Sequence, residues 1–266
     1  MCIALCANAK DIKIVQVADL NFDGNTQSKS AFLLSKFINK MNNSDVDMIV
    51  FSGDNISNSK KHEFTELCNI LKSLEKPYYL ALGENDVHKA SGIAKEDYMR
   101  FLNYHSPYQK TDSSNYVVKL SSDFVVLFVD GATPIVQSKH GYFSEKTLLW
   151  LDKMLKKNRR KKVAIFQHFP ILSPEKNYEY ETIEPEKYMA ILNKYDNVVF
   201  VASGHFNKDF QIYDENKVEH ISTPSFKPYP YVWREFDIKT GRKFSYTTKI
   251  VGLEVSAENQ TPKDVK

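Results

Sequence analysis

Strand-like and helix-like runs alternate through the first third of the chain, and this alternation constrains the fold more than any other feature. Ile12 to Ala18 (IKIVQVA) is rich in Val and Ile and reads as a strand. From Ser30 to Met41, residues Phe32, Leu33, Leu34, Phe37, Ile38 and Met41 recur at helical spacing. Asp47 to Ser52 reads as a second strand and Tyr78 to Leu82 as a third. Between them Glu63 to Leu74 reads as a helix with Phe64, Leu67, Leu71 and Leu74 on one side. Parallel strands need long crossovers, so a βαβαβ order predicts a parallel sheet with crossover helices.

The second half reads mostly as strand. Val117–Leu120, Phe124–Val129, Val163–Phe166, Val198–Ala202, Phe210–Tyr213, Val218–Ser222 and Tyr231–Asp237 fit the strand pattern. Ser144 to Lys157 reads as a helix with Ser144 as N-cap and Trp150 and Leu151 inward, and a further helix lies near Glu186 to Tyr195. With no repeat, linker or composition break, the expectation is an α/β sandwich of two sheets in one domain over 11–250. A leader at 1–10 and a polar tail at 251–266 flank it.

Composition excludes several classes. Nine glycines and ten prolines in 266 residues are too few for a collagen-like or low-complexity chain. A hydrophobic fraction of 42% argues against wholesale disorder. No apolar run approaches the ~18 residues that span a bilayer. The 36 basic and 33 acidic residues are too balanced to argue for nucleic acid. Cys2, Cys6 and Cys68 make neither a disulfide framework nor a zinc cluster. The opening MCIALCANA, with Ala7-Asn8-Ala9, is either the end of a signal peptide whose start lies upstream or a frayed leader. The first alternative implies an exported or periplasmic protein, the second a cytoplasmic one. The run Asn158 to Lys162 (NRRKK) follows a helix and reads as its solvated, dipole-favoured C-terminus.

Chemistry concentrates at strand ends. Strand-like runs finish in Ala18-Asp19-Leu20-Asn21, Gly53-Asp54-Asn55, Gly83-Glu84-Asn85-Asp86, Gln167-His168-Phe169-Pro170 and Gly204-His205-Phe206-Asn207. Each acid or histidine alone reads as a turn or capping residue. Together, Asp19, Asp54, Glu84, His168 and His205 would bring three carboxylates and two imidazoles into the crevice at the carboxyl ends of the strands. Such a cluster is too costly to assemble without a cation.

At these residues the sequence resembles the calcineurin-like metallophosphoesterases, whose blocks Asp-x-His, Gly-Asp, Gly-Asn-His-Asp/Glu, a His-x-Pro-like block and Gly-His-x-His lie at strand ends in this order. The resemblance runs from about Lys13 to about Asp237. Phe128-Val129-Asp130, Gly141 to Leu151 and Thr223-Pro224-Ser225 are similar to the bacterial class III cyclic-nucleotide phosphodiesterases. It implies a metallo-dependent phosphatase-like fold, a four-layer α/β/β/α sandwich of two mixed sheets. It also implies a hydrolase of small phosphorylated substrates.

The departures are informative. Asn21 and Asn207 stand where the family has histidine ligands, Glu84 where it has a metal-binding asparagine, and Asn85 where it has its catalytic histidine. Asp86 closes that catalytic block. By the family's pattern one ion would be held by Asp54, Glu84, His168 and His205, a set that suits Mn, Fe or Zn. The other would be held by Asp19, Asn21, Asp54 and Asn207. That set is all oxygen, and it predicts a weaker site or a harder ion such as Mg, Mn or Ca. Two functional readings follow: an active phosphoesterase with an altered site, or a binding or regulatory protein with little turnover. His88 is a candidate substitute acid and also a plausible loop histidine; His62, His105, His140 and His220 read as structural or surface residues. Tyr229, Tyr231 and Trp233 fit a crevice wall and a half-buried hairpin equally well.

Overall fold

A computed structural model describes residues 11–133, 138–175, 180–228, 230–241 and 243–254. The leader at 1–10, Tyr229 and residues 255–266 of the expected tail lie outside the described residues, while 251 and 252 belong to the last strand.

Two mixed sheets pack face to face. The first has the order β11-β10-β1-β2-β3, with β1 (Asp11–Val17), β2 (Met48–Ser52), β3 (Tyr78–Ala81), β10 (Val232–Lys239) and β11 (Ser245–Gly252). β1, β2 and β3 run parallel, with helix α2 (Lys61–Leu71) crossing from β2 to β3, as the βαβαβ pattern predicts. The second has the order β4-β5-β6-β7-β9-β8, with β4 (Tyr116–Lys119), β5 (Phe124–Phe128), β6 (Lys162–Phe166), β7 (Val198–Ser203), β8 (Phe210–Tyr213) and β9 (Glu219–Ser222). Here β5, β6, β7 and β9 are parallel, and the outer β4 and β8 antiparallel. Phe236 of β10 stacks on Phe200 of β7 at 4.9 Å and meets Phe166 of β6 edge-on at 5.6 Å, which closes the interface between sheets. Ser28 caps α1 (Lys29–Asn42) and Ser144 caps α4 (Glu145–Lys157), each through its side-chain oxygen. Helix α1 covers the first sheet, where Phe37 packs edge-on against Trp233 at 5.3 Å. Helices α4 and α5 (Pro185–Leu192) pack together, and the Tyr188 hydroxyl of α5 donates to Gln167 beyond β6. This is the α/β/β/α sandwich of the sequence reading.

Several elements differ from expectation. Helix α3 (Lys95–His105) has no counterpart in the sequence pattern, because only Tyr98, Met99 and Leu102 of its eleven residues are buried. Strand β11 is likewise unread. It is an edge strand of polar and β-branched residues, placed by pairing with β10 along its whole length. On α1, Phe32 stands outward, 48% exposed beneath the Lys36 ammonium, while Ala31 is buried. Tyr231 and Trp233 are buried and do not line the functional pocket. Trp233 packs against α1 rather than walling a crevice. No helix among the described residues is long and apolar enough to cross a membrane.

Candidate metal centre

The carboxyl ends of β1, β2, β3, β6 and β7 meet along one rim, drawn together by buried polar bonds. Gln16 of β1 donates to the Ser52 hydroxyl and, across the sheets, to the Ser203 carbonyl, both at 3.0 Å. His205 N donates to Asp19 Oδ2 at 2.9 Å. Two glycines permit the close approach. A Cβ on Gly53, whose φ is +95°, would lie 2.6 Å from the His168 ring, and one on Gly83 would lie 2.2 Å from Asp54 Oδ1. Asp19, Asn21, Asp54, His205 and Asn207 all have positive φ. So many non-glycine residues in the left-handed region at one place mark a functional rim.

These strand ends surround a pocket of about 470 Å³ lined by Asp19, Asn21, Asp54, Glu84, Asn85, Lys139, Tyr180, His205 and Asn207. That volume suits a small ligand. His168 is fully buried within the same cluster. Its Nε2 lies 2.8 Å from Glu84 Oε2, 3.7 Å from Asp54 Oδ1 and 4.0 Å from Asp19 Oδ1, while its Nδ1 meets the Ser52 carbonyl at 3.0 Å. That Nδ1 contact fixes the ring and leaves Nε2 aimed at the carboxylates. His205 Nδ1 is 3.2 Å from Glu84 Oε1 and 3.1 Å from His168 Nε2. Every sequence-predicted ligand therefore reaches one site.

Asp86 does not line the pocket. It is fully buried and accepts from the Gly83, Asn55 and Ile56 amides at 2.9, 2.8 and 3.1 Å, and from Asn55 Nδ2 at 2.9 Å. Asn55 Nδ2 also reaches the Tyr98 hydroxyl at 3.3 Å, so α3 braces the loops that carry Asp54 and Glu84. Expected in the catalytic block, Asp86 here gathers the loop amides beside Asp54 and Glu84. Asp86→Ala should cost about 3 kcal/mol in urea unfolding, because several buried donors lose their acceptor. His88 faces Ser91, with Nδ1 at 2.7 Å from its hydroxyl, and does not line the pocket.

Asn85 lies at the pocket edge. Its backbone N–H donates to Asp54 Oδ1 at 2.8 Å, and its amide donates to Asp54 Oδ2 at 2.5 Å and to Asn21 Oδ1 at 3.2 Å. The Asn21 and Asn207 amides donate back to the Asp19 and His205 carbonyls at 3.2 and 3.3 Å. Lys139 and Tyr180 also line the pocket, from loops that carry no motif.

The electrostatics show a site short of positive charge. Burial alone would lower His168, but the carboxylates of Asp54, Glu84 and Asp19 outweigh it and hold the imidazole well above the usual histidine range. Burial pushes Asp54 well up, and Asp19 up as well, against the pull of His168. Burial also works to raise Glu84, yet His168 and His205 hold it below the usual carboxylate range. Asp86 is pushed up to about 7 by burial, which its backbone donors only partly offset. A divalent cation fits this arrangement. The ligand atoms of Glu84, His168 and His205 lie within 4.8 Å of one another, as do those of Asp19, Asp54 and His168. The mixed nitrogen and carboxylate donors are those that bind such ions.

Two facing sheets thus bring buried acids and histidines together at their carboxyl rim. Residues 12–209 match the model of the calcineurin-like phosphoesterases, and the chain belongs to that family. It is 27% identical over 208 residues to a probable cyclic nucleotide phosphodiesterase of Coxiella burnetii, covering 76% of this chain and 78% of that one. It is also 27% identical over 165 residues to a probable glycerophosphodiester phosphodiesterase, GpdQ, of Arcobacter nitrofigilis. That match covers 61% of this chain and 57% of the relative's length, so the chain spans little more than half of it. A dimetal phosphatase from Danio rerio shares the fold with a TM-score of 0.69 at 15% identity, over 89% of this chain and 98% of that one.

Proposed function

We propose that the chain is a metal-dependent phosphoester hydrolase with an altered dinuclear site. The observation that carries this reading is a pair of buried groups that share His168, Glu84–His168–His205 and Asp19–Asp54–His168, at a pocket of small-ligand size. The phosphodiesterase names of its relatives support a phosphodiester substrate. When bound, divalent ions in such a site polarise a phosphoryl oxygen and lower the pKa of water. Asp54, Glu84, His168 and His205 would hold Mn, Fe or Zn. Asp19, Asn21, Asp54 and Asn207 offer only oxygen donors and would hold a second ion more weakly, or a harder one such as Mg, Mn or Ca.

The protein's own contribution to leaving-group departure is reduced. Asn85 holds a hydrogen-bond donor at the family's catalytic position but has no proton to give at neutral pH. This favours substrates with a good leaving group, and it is the observation behind the second reading, a ligand-binding protein with little turnover. Assaying bis-p-nitrophenyl phosphate with Mn, Mg, Zn and Fe separates the two. The hydrolase reading expects metal-stimulated release of p-nitrophenol. No stimulation by any of the four ions would leave the binding reading.

A further inference from the structure

Lys139 precedes α4 and reaches the pocket from a stretch that carries no motif. Its carbonyl lies 2.8 Å from His205 Nε2, which seats this segment directly on a candidate ligand. Its ammonium stands 5.4 Å from the centre of the Tyr180 ring, and that ring in turn meets His205 edge-on at 5.2 Å. Among the described residues lining the pocket, Lys139 supplies the one ammonium or guanidinium, against the carboxylates of Asp19, Asp54 and Glu84.

We propose that Lys139 is the phosphate-binding cation of this site and contacts the substrate directly. The inference rests on the phosphoester reading of the pocket. With asparagine at 21, 85 and 207, three side chains around the pocket carry no positive charge at any pH, and Glu84 adds a negative one. A divalent ion offsets part of the carboxylate charge there, and a cationic side chain lining the pocket adds to the attraction for a phosphate anion. An ammonium on a flexible stem, with three donors, supplies it as a mobile point charge. The face of Tyr180 lies beside that ammonium, and the Lys139 carbonyl meets His205 Nε2, so the stem that carries the charge is anchored at the pocket.

The test is calorimetric titration of the Mn-loaded protein with inorganic phosphate, at low and high salt, with Mn content measured in every variant. Lys139 is exposed, so Lys139→Gln keeps the fold. It should weaken phosphate binding about tenfold and flatten the salt dependence. Lys139→Arg keeps the charge and should stay within about threefold of the unaltered protein. The proposal is overturned if the unaltered protein binds no phosphate, if Lys139→Gln binds it undiminished, if Gln and Arg weaken it equally, or if the loss vanishes once Mn content is equalised. Phosphate binding that depends on Lys139 in a protein without turnover would sink the hydrolase reading and leave this one standing.

Discussion

Replacing His168 with alanine is expected to remove the tighter metal ion and, with it, nearly all metal-stimulated turnover. His168 Nε2 lies within 4.0 Å of Glu84, Asp54 and Asp19 at once. Losing a residue that merely orients a ligand commonly costs 10–100-fold in affinity, so loss of the ligand itself should exceed about 100-fold. The fold should tolerate the change less well than a surface substitution. The imidazole fills a fully buried position and bonds the Ser52 carbonyl. The check is metal content by elemental analysis beside a circular dichroism melt. A His168→Ala protein that is folded and retains its metal and turnover would remove the reading built on this set.

The second large effect is a gain. Asn85→His is expected to raise turnover by about 10²-fold on substrates with poor leaving groups, where a general acid matters most. The geometry favours it. A histidine at this position can present Nδ1–H to Asp54 where the asparagine amide now lies 2.5 Å from Oδ2, and project Nε2 further into the pocket. On p-nitrophenyl esters, whose leaving group departs without protonation, the gain should be much smaller. Comparing an alkyl with a p-nitrophenyl phosphodiester checks this directly. Equal change on both would mean that position 85 does not act on the leaving group. Adding histidine at Asn21 and Asn207 should tighten the second ion in the same protein.

The parts of this molecule that could be read from sequence are those governed by local pattern. β1, β2 and β3 are buried runs with amphipathic crossovers, so periodicity alone leads to a parallel sheet. The residues that meet at the candidate site were legible because they fall just past buried runs, beside glycines that allow backbones to close on one another. Gly53 beside His168 and Gly83 beside Asp54 show the reason for those spacings. What sequence pattern could not reach depends on tertiary partners. β11 exists because β10 pairs with it, and α3 because Tyr98 stacks on Phe64 at 3.9 Å and reaches the Asn55 amide. Asp86 adjoins the catalytic block in sequence but turns inward to gather loop amides. Lys139 and Tyr180 enter the pocket through chain folding alone, and nothing in their neighbours announces it.

The proposed site is asymmetric, with one ion held by imidazole and carboxylate and the other mainly by oxygen. This asymmetry is tested most directly by titrating chelator-treated protein with Mn and following bound metal by equilibrium dialysis. The account predicts one tight ion per chain, lost in His168→Ala, and a second taken up only at much higher concentration. Two ions of equal affinity, or none bound at millimolar metal, would contradict it.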